Sequence, residues 1–264
     1  MEDRQVVVVG DAHITPGQSL GRFRALGNYL LETRPDDVVL MGDFVSMESL
    51  SSYDKKGGLR LEGTRIGADV AVGKAALTAL TAPITAYNRR RAKNHDKQFT
   101  PRIHFIAGNH EHRIIRWWED DAQMAGTYSL IYEFSPWFNT YTRYGDYLWL
   151  NGVGFTHIPF NKVGPVSASG FTVSIAQKVA LQSAASIVFG HTHLLDLGRA
   201  ARTGSNKTIY CLNVGCFFEP EYDPPYIESR LKDWWRGIVR LTITQTGEFD
   251  FQTIGLSTLM SRYT

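Results

Sequence analysis

Aspartate, histidine and one asparagine recur in this sequence just downstream of short apolar runs, and together they could hold metal ions. Gly10-Asp11-Ala12-His13 follows a valine run, and Gly42-Asp43 follows Val38-Val39-Leu40-Met41. Gly108-Asn109-His110-Glu111 follows a third run, Phe155-Thr156-His157 ends a fourth, and Gly190-His191-Thr192-His193 ends a fifth. Imidazole and carboxylate suit first-row divalent metals. One bridging carboxylate can hold two ions roughly 3.5–4 Å apart, the spacing of two-metal phosphoryl-transfer sites. Residues two apart in an extended segment face the same way, so Asp11 with His13, and His191 with His193, are each expected to reach one cluster. Each piece alone has an ordinary reading: a turn for Gly-Asp, a loop detail for Asn-His, a satisfied core histidine for His157. Their joint occurrence, each after a buried run, argues for a shared site.

Such residues need elements to bring them together. Residues 5–10, 37–42, 102–108, 185–190 and 208–214 are short apolar runs without alternation, the pattern of strands buried on both faces. Residues 19–33 carry Leu20, Phe23, Leu26 and Leu30 at helical spacing, closed by Pro35. Strand, helix, strand favours a parallel pair with a right-handed crossover. Residues 66–94 read as a long helix interrupted or kinked near Pro83, and residues 114–124 as a shorter one. Asn151-Gly152 between apolar runs signals a type I′ hairpin, and residues 238–254 alternate like an antiparallel hairpin. The order implies an α/β sandwich whose ligand-bearing strand ends converge, since open α/β sheets bind ligands beyond the carboxyl ends of their strands.

The ordered set Asp-x-His, Gly-Asp, Gly-Asn-His-Glu, His, Gly-His-x-His resembles the calcineurin-like metallophosphoesterase superfamily, from Asp11 to His193. The resemblance implies a four-layer α/β/β/α sandwich, two mixed β-sheets packed face to face and flanked by helices. It implies that Asp11, His13 and His193 hold one metal, that Asn109, His157 and His191 hold a second, and that Asp43 bridges both. His110 would sit beside the phosphate as a catalytic group without binding metal. One departure is visible: members often show Gly-Asp-x-x-Asp, and here the last position is Ser46. The stretch Leu50-Ser51-Ser52-Tyr53-Asp54-Lys55 followed by Glu62-Gly63 also resembles members found in phage and prophage genomes.

The expected chemistry is hydrolysis of a phosphodiester in a small or nucleotide-like substrate, with a hydroxide shared by the two metals as nucleophile. A DNA or RNA nuclease, a phosphomonoesterase or protein phosphatase, and a non-enzymatic binding module that keeps the fold are the alternatives. No ligand position is substituted, which argues against the last. The ligand set admits two divalent ions: Mn²⁺ is favoured, and Fe, Zn²⁺, Ni²⁺ or Co²⁺ are allowed. His112, Arg113, Tyr53 and Lys55 are candidate substrate contacts, with Lys56, Arg60 and Arg65 in the same stretch; the plainer reading is a solvated charged surface. Arg89-Arg90-Arg91 reads as a basic helix end favoured by the dipole, or as a nucleic-acid contact. Trp117, Trp118, Trp137, Trp234 and Trp235 could stack bases or fill cores and interfaces.

Composition fits this picture. The chain has 264 residues, 43% hydrophobic and 20% charged, with a formal net charge of +2, which describes neither a disordered chain nor a dedicated polyanion binder. One domain over residues 1–264 is expected, with a helical and loop insertion at about 46–101 rising over the site. Two cysteines without a CxxC pairing exclude a disulfide scaffold, and the charged start lacks a signal-peptide core. A cytoplasmic protein, bacterial or in a phage-infected host cell, is expected. No uninterrupted apolar run nears the ~20 residues of a membrane span, so no membrane partner is expected. The stretch 217–235, rich in aromatics and proline, could form a homo-oligomer interface, cap the pocket, or cover the second sheet as a loop.

Overall fold

The valine run of β1 (Arg4–Val9) serves two cores at once. Val7 and Val9 join a cluster with helix residues, while Val6 and Val8 join residues of a second sheet. Period-two alternation thus puts β1 between two apolar layers. The structure is a computed structural model that describes residues 3–52, 61–161, 164–166, 174–204, 207–222 and 233–264. The first sheet contains β1, β2 (Asp37–Leu40), β3 (Arg102–Ile106), β4 (Thr140–Thr142), β12 (Gly237–Ile243) and β13 (Phe249–Gly255), in the order β13-β12-β1-β2-β3-β4. The second contains β5 (Leu148–Leu150), β6 (Val153–Thr156), β9 (Ile187–Phe189), β10 (Leu195–Ala201) and β11 (Thr208–Val214), in the order β10-β11-β9-β6-β5. A short pair, β7 (Phe160–Asn161) and β8 (Gly164–Pro165), stands apart. Both sheets are mixed. Strands β1 to β4 pair in parallel, and β12 runs antiparallel to β1 and to β13. In the second sheet β6, β9 and β11 are parallel, with antiparallel β5 and β10 at its edges.

Three hydrophobic clusters separate the four layers. Helices α1 (Gly21–Thr33), α2 (Ile66–Lys93) and α6 (Leu256–Tyr263) supply Phe23, Leu26, Leu77, Leu80 and Leu259 to the outer face of the first sheet. Val39, Met41 and Ile106 meet Phe155, Val188 and Leu212 between the sheets. Helix α5 (Ile175–Gln182) lays Ile175 and Val179 on Phe189 and Cys211 of the second. The expected α/β/β/α sandwich is therefore observed. Cys211 and Cys216 are buried thiols that form no disulfide.

Helix α2 corrects two expectations. It is continuous through Pro83 rather than interrupted, and it packs on α1, where Gly27 lets Leu80 and Pro83 approach: a Cβ there would lie 2.3 Å from the Leu80 carbonyl oxygen. It joins β2 to the parallel β3 as the helix of that crossover. Its 28 residues are also long and apolar enough to cross a membrane by length and composition, which a search for uninterrupted runs missed; Val70, Leu77, Leu80 and Ile84 use that apolarity within the helix layer. Asn151 and Gly152 both have positive φ at the β5–β6 turn, as a type I′ hairpin requires.

At the amino ends of β2 and β3 the sheet carries a buried charge. Asp37, fully buried, accepts hydrogen bonds from Arg4 and Arg102 and pairs with the His104 imidazole at 2.8 Å. Burial opposes its charge, but His104 and Arg4 outweigh burial and hold its carboxyl at about 2. A carboxyl held below its unfolded value stabilises the fold above that value, and the contribution is lost as pH falls through the folded one. Asp37→Ala should lower stability at neutral pH by roughly 1–3 kcal/mol, because it leaves the buried His104 ring and the partly buried Arg4 guanidinium without their acceptor. In urea unfolding, the gap between wild type and this variant should narrow as pH drops from about 4 toward about 2.

Candidate metal centre

The ligand-bearing segments leave the carboxyl ends of five strands, three in the first sheet and two in the second. Asp11 and His13 follow β1, Asp43 follows β2, Asn109 and His110 follow β3, His157 follows β6, and His191 and His193 follow β9. They meet at the seam between the sheets. The His193 Nε2 atom lies 3.1 Å from Asp11 Oδ2 and 3.2 Å from His13 Nε2. His157 Nε2 lies 3.0 Å from Asn109 Oδ1, 3.2 Å from His191 Nδ1 and 3.4 Å from Asp43 Oδ2. Asp43 Oδ2 is also 3.8 Å from both His13 Nε2 and His110 Nε2. Three groups result, each compact enough to hold a cation: Asp11, His13 and His193; His13, Asp43 and His110; Asp43, His157 and His191. Asp43 and His13 each belong to two of them.

Backbone geometry differs from the expected extended pairs. His13, Asp43, His191 and His193 all have φ between 44° and 73°. Alternation therefore does not aim Asp11/His13 or His191/His193; left-handed turns do, and they send His191 and His193 to different groups. Such conformations in non-glycine residues cost on the order of 1–3 kcal/mol each and cluster at functional sites. The small residues before the ligands have a steric reason. A Cβ on Gly108 would lie 2.1 Å from Asp43 Oδ1, and one on Gly190 2.5 Å from Asp11 Oδ1. Glu111 braces the turn from below: its buried carboxylate accepts the backbone N–H groups of Asp43, Val45 and Gly108 at 2.8–2.9 Å. Burial, reinforced by the Asp43 carboxylate, pushes its pKa up to about 7. The sequence reading gave Glu111 no role, although it lies in the Gly-Asn-His-Glu run.

Electrostatics make a cation the natural occupant. His157 Nδ1 donates to the Met41 carbonyl at 3.0 Å, which leaves the Nε2 lone pair facing Asn109 Oδ1, His191 Nδ1 and an Asp43 oxygen. Those are all Lewis bases. Asp11 Oδ2, fully buried, has the His193 imidazole as its polar neighbour, at 3.1 Å. Burial disfavours a charge on His157, but Asp43 and Asp11 outweigh it and raise the imidazole to about 9. Burial opposes ionisation of Asp43 too, yet His157 and His110 hold it well below the usual carboxylate range. Burial lowers His13 strongly and His191 as well, which keeps ligand nitrogens unprotonated. A nitrogen and oxygen donor set without sulfur fits borderline or hard divalent ions.

Among the remaining candidates, His110 turns Nδ1 to the Ser46 carbonyl at 2.7 Å and donates its backbone N–H to Asp43 Oδ1 at 2.8 Å. Ser46 Oγ donates to the His13 carbonyl. Arg113 is buried, with its guanidinium on the Ser46 and Met47 carbonyls, so it is not an exposed substrate contact. His112, half-buried, packs on Tyr144 at 5.0 Å between ring centroids. Tyr53 and Lys55, with Lys56 and Arg60, lie outside the described residues, and Arg65 is exposed at the start of α2. The basic end of α2 lies with Arg34, Lys97 and Arg102 around a cavity of about 630 Å³ at the amino ends of β2 and β3, far from the ligands.

Aromatic walls were only partly legible. Phe218 and Trp234 stand edge-on to His193, at 5.3 and 4.5 Å, and Phe218 lies 5.6 Å from His13. Backbone bonds pin them: Phe217 N–H donates to the Asp11 carbonyl and Trp235 N–H to the His193 carbonyl. In the described part of 217–235, Phe218 and Trp234 stand beside the candidate ligands. On the other side Tyr144 approaches His157 at 6.2 Å, and nothing in its local sequence marked it. Trp118 and Trp137 pack on the helix-side core and Trp235 on the core between the sheets. Removing the brace beneath the ligands should be costly: Glu111→Ala should weaken divalent-cation binding by about 10- to 100-fold. Calorimetric titration with Mn²⁺ checks this, and an unchanged affinity would refute the brace.

Comparison with known proteins agrees with this geometry. The family model for calcineurin-like phosphoesterase matches residues 4–195. The Gene 54 protein of Mycobacterium phage D29 is 25% identical over 259 residues, covering 91% of this chain and 89% of that protein. The Gene 54 protein of Mycobacterium phage L5 is 22% identical over 258 residues, with the same coverage of each chain. A match over most of the length, with the family's motif residues gathered at one seam, means that the chain belongs to the calcineurin-like phosphoesterase family.

Proposed function

We propose that this protein is a binuclear metal-dependent phosphodiesterase that hydrolyses a small or nucleotide-like diester. The observation that carries the reading is the place of Asp43: its Oδ2 faces histidines of both flanking donor groups. In this reading Asp11, His13 and His193 would hold one ion, Asn109, His157 and His191 the other, and Asp43 would serve both. Bound there, the ions would supply Lewis acidity for hydroxide at neutral pH and offset charge on the non-bridging phosphate oxygens. Manganese is our first choice for loading.

The chain's own side chains do the rest. Asp43 and the histidine cluster orient the phosphate, and His110, whose Nε2 faces the cluster, assists the leaving oxygen. Preference for a diester is supported by aromatic surface on both sides of the centre: Phe218 and Trp234 beside His193, Tyr144 and His112 beside His157. A diester carries an organic group on each side of phosphorus; a monoester carries one. The basic end of α2 lies at the opposite end of the strands, which offers a polymer-binding nuclease no support beside the centre.

The manganese-loaded protein should turn over bis-p-nitrophenyl phosphate faster than p-nitrophenyl phosphate, and faster than it cuts single-stranded or duplex DNA. Faster monoester turnover would overturn the diester reading, and faster DNA cleavage would favour the nuclease. Asp43→Ala should lose bound metal and activity together. His110→Ala should keep its metal, measured by elemental analysis, while turnover falls by about 10²- to 10⁴-fold. Equal metal loss in that variant would remove His110 from its role.

A further inference from the structure

Position 46 is a serine where similar members often carry an aspartate, and the Ser46 side chain turns to the His13 carbonyl instead of to His110. What His110 Nδ1 meets is the Ser46 main-chain carbonyl, at 2.7 Å. A carbonyl only accepts, so this nitrogen carries the ring proton. A neutral carbonyl in a loop is a weaker anchor than a carboxylate, and it needs holding in place.

Arg113 holds it. From the first turn of α3 (His112–Asp120), its Nη1 donates to the Ser46 carbonyl at 3.0 Å and to the Met47 carbonyl at 3.2 Å. Met47 is left-handed, with φ 47° and ψ 47°, where the two carbonyls meet one guanidinium nitrogen. Arg113 Nη2 lies 3.3 Å from His110 Nε2. A guanidinium only donates, so it too selects the ring form with hydrogen on Nδ1 and a lone pair on Nε2. The side chain is 6% exposed, too buried to serve as a surface charge. Asp69, in the first turn of α2, supplies a nearby opposite charge and is itself held by the Ser49 N–H and hydroxyl.

We propose that Arg113 is a positioning residue for the reaction: by clamping the Ser46 and Met47 carbonyls against the edge of His110, it fixes the ring with Nδ1–H inward and the Nε2 lone pair toward the Asp43 cluster, where Nε2 can take a proton from the attacking water and return it to the leaving oxygen. The kinetic part of this inference rests on the phosphoesterase reading; the structural part does not.

Two measurements test it on the full chain. In metal-free protein, ¹⁵N imidazole spectra of His110 should show the Nδ1–H tautomer in wild type and a mixture in Arg113→Met. In manganese-loaded protein, Arg113→Met should keep its metal and its KM. Its kcat should fall by about 10- to 100-fold, and further for a phenyl than for a p-nitrophenyl leaving group. Combined with His110→Ala, it should add no further loss, because the two residues act through one ring. Arg113→Lys, which keeps the charge but not the fork, should recover part of the loss and serves in place of Arg113→Met if that variant does not fold. Multiplying losses in the double variant, or an unchanged tautomer, would overturn the proposal. A wild type that hydrolyses nothing would instead overturn the phosphoesterase reading and leave the spectroscopic test standing.

Discussion

Two carboxylates taken almost wholly out of water set the terms for the rest of the structure. Asp11 is fully buried and Asp43 is 2% exposed. A buried charge left unanswered costs several kcal/mol, and no lysine or arginine of the described residues pairs with either one. Imidazoles do, and an imidazole is a charge partner only when protonated. The raised pKa of His157 is the response available to the protein alone. Lowered values at His13 and His191 show that the same cage will not take a proton everywhere. Such a site repels further protons at some donors while demanding positive charge overall, and a divalent cation meets both conditions.

Holding acceptors this close requires a frame that does not yield. Left-handed φ at His13, Asp43, His191 and His193 is paid for by what surrounds it. Val6 to Val9 and Val38 to Met41 are buried on both faces, and the parallel pairing of β1, β2 and β3 fixes where each turn begins. Glu111 then gathers three backbone N–H groups beneath Asp43. Local strain at the ligands and tight apolar packing behind them are two parts of one arrangement.

Much of this was legible in the sequence, for identifiable reasons. Short apolar runs have one ready interpretation, strands covered on both faces, and several end on residue types that could bind metal. The candidates Asp11, His13, Asp43, Asn109, His157, His191 and His193 are therefore legible before their meeting point is known. How they are aimed was not legible: His-x-His looks the same whether extended or left-handed, and only the backbone separates them. Helix α2 reads as interrupted because Pro83 suggests a break, while its continuity goes with packing against α1, which local pattern does not encode. Edge strands such as β4 and β10 were missed because half-exposed residues carry no strong apolar signal. Tyr144 and Glu111 matter through contacts across the fold, which local pattern does not encode.

The seam between the sheets carries one more consequence. Under the proposed assignment Asp11 and His13 from the first sheet share an ion with His193 from the second, and Asn109 from the first shares one with His157 and His191 from the second. Each ion would therefore tie the two sheets to each other. Between the sheets the apolar cluster already packs Met41 and Ile106 against Phe155 and Val188, and the main chain adds Phe217 N–H to the Asp11 carbonyl. Ligand binding to the folded state alone adds stability by mass action, about 4 kcal/mol at a thousandfold excess over Kd. In this fold that gain would fall on the sheet-to-sheet contact, the same contact that keeps the ligands in register. The geometry that binds the cations and the packing that holds the sheets together would then reinforce each other, which explains why so much buried polarity is tolerated at the boundary of a hydrophobic core.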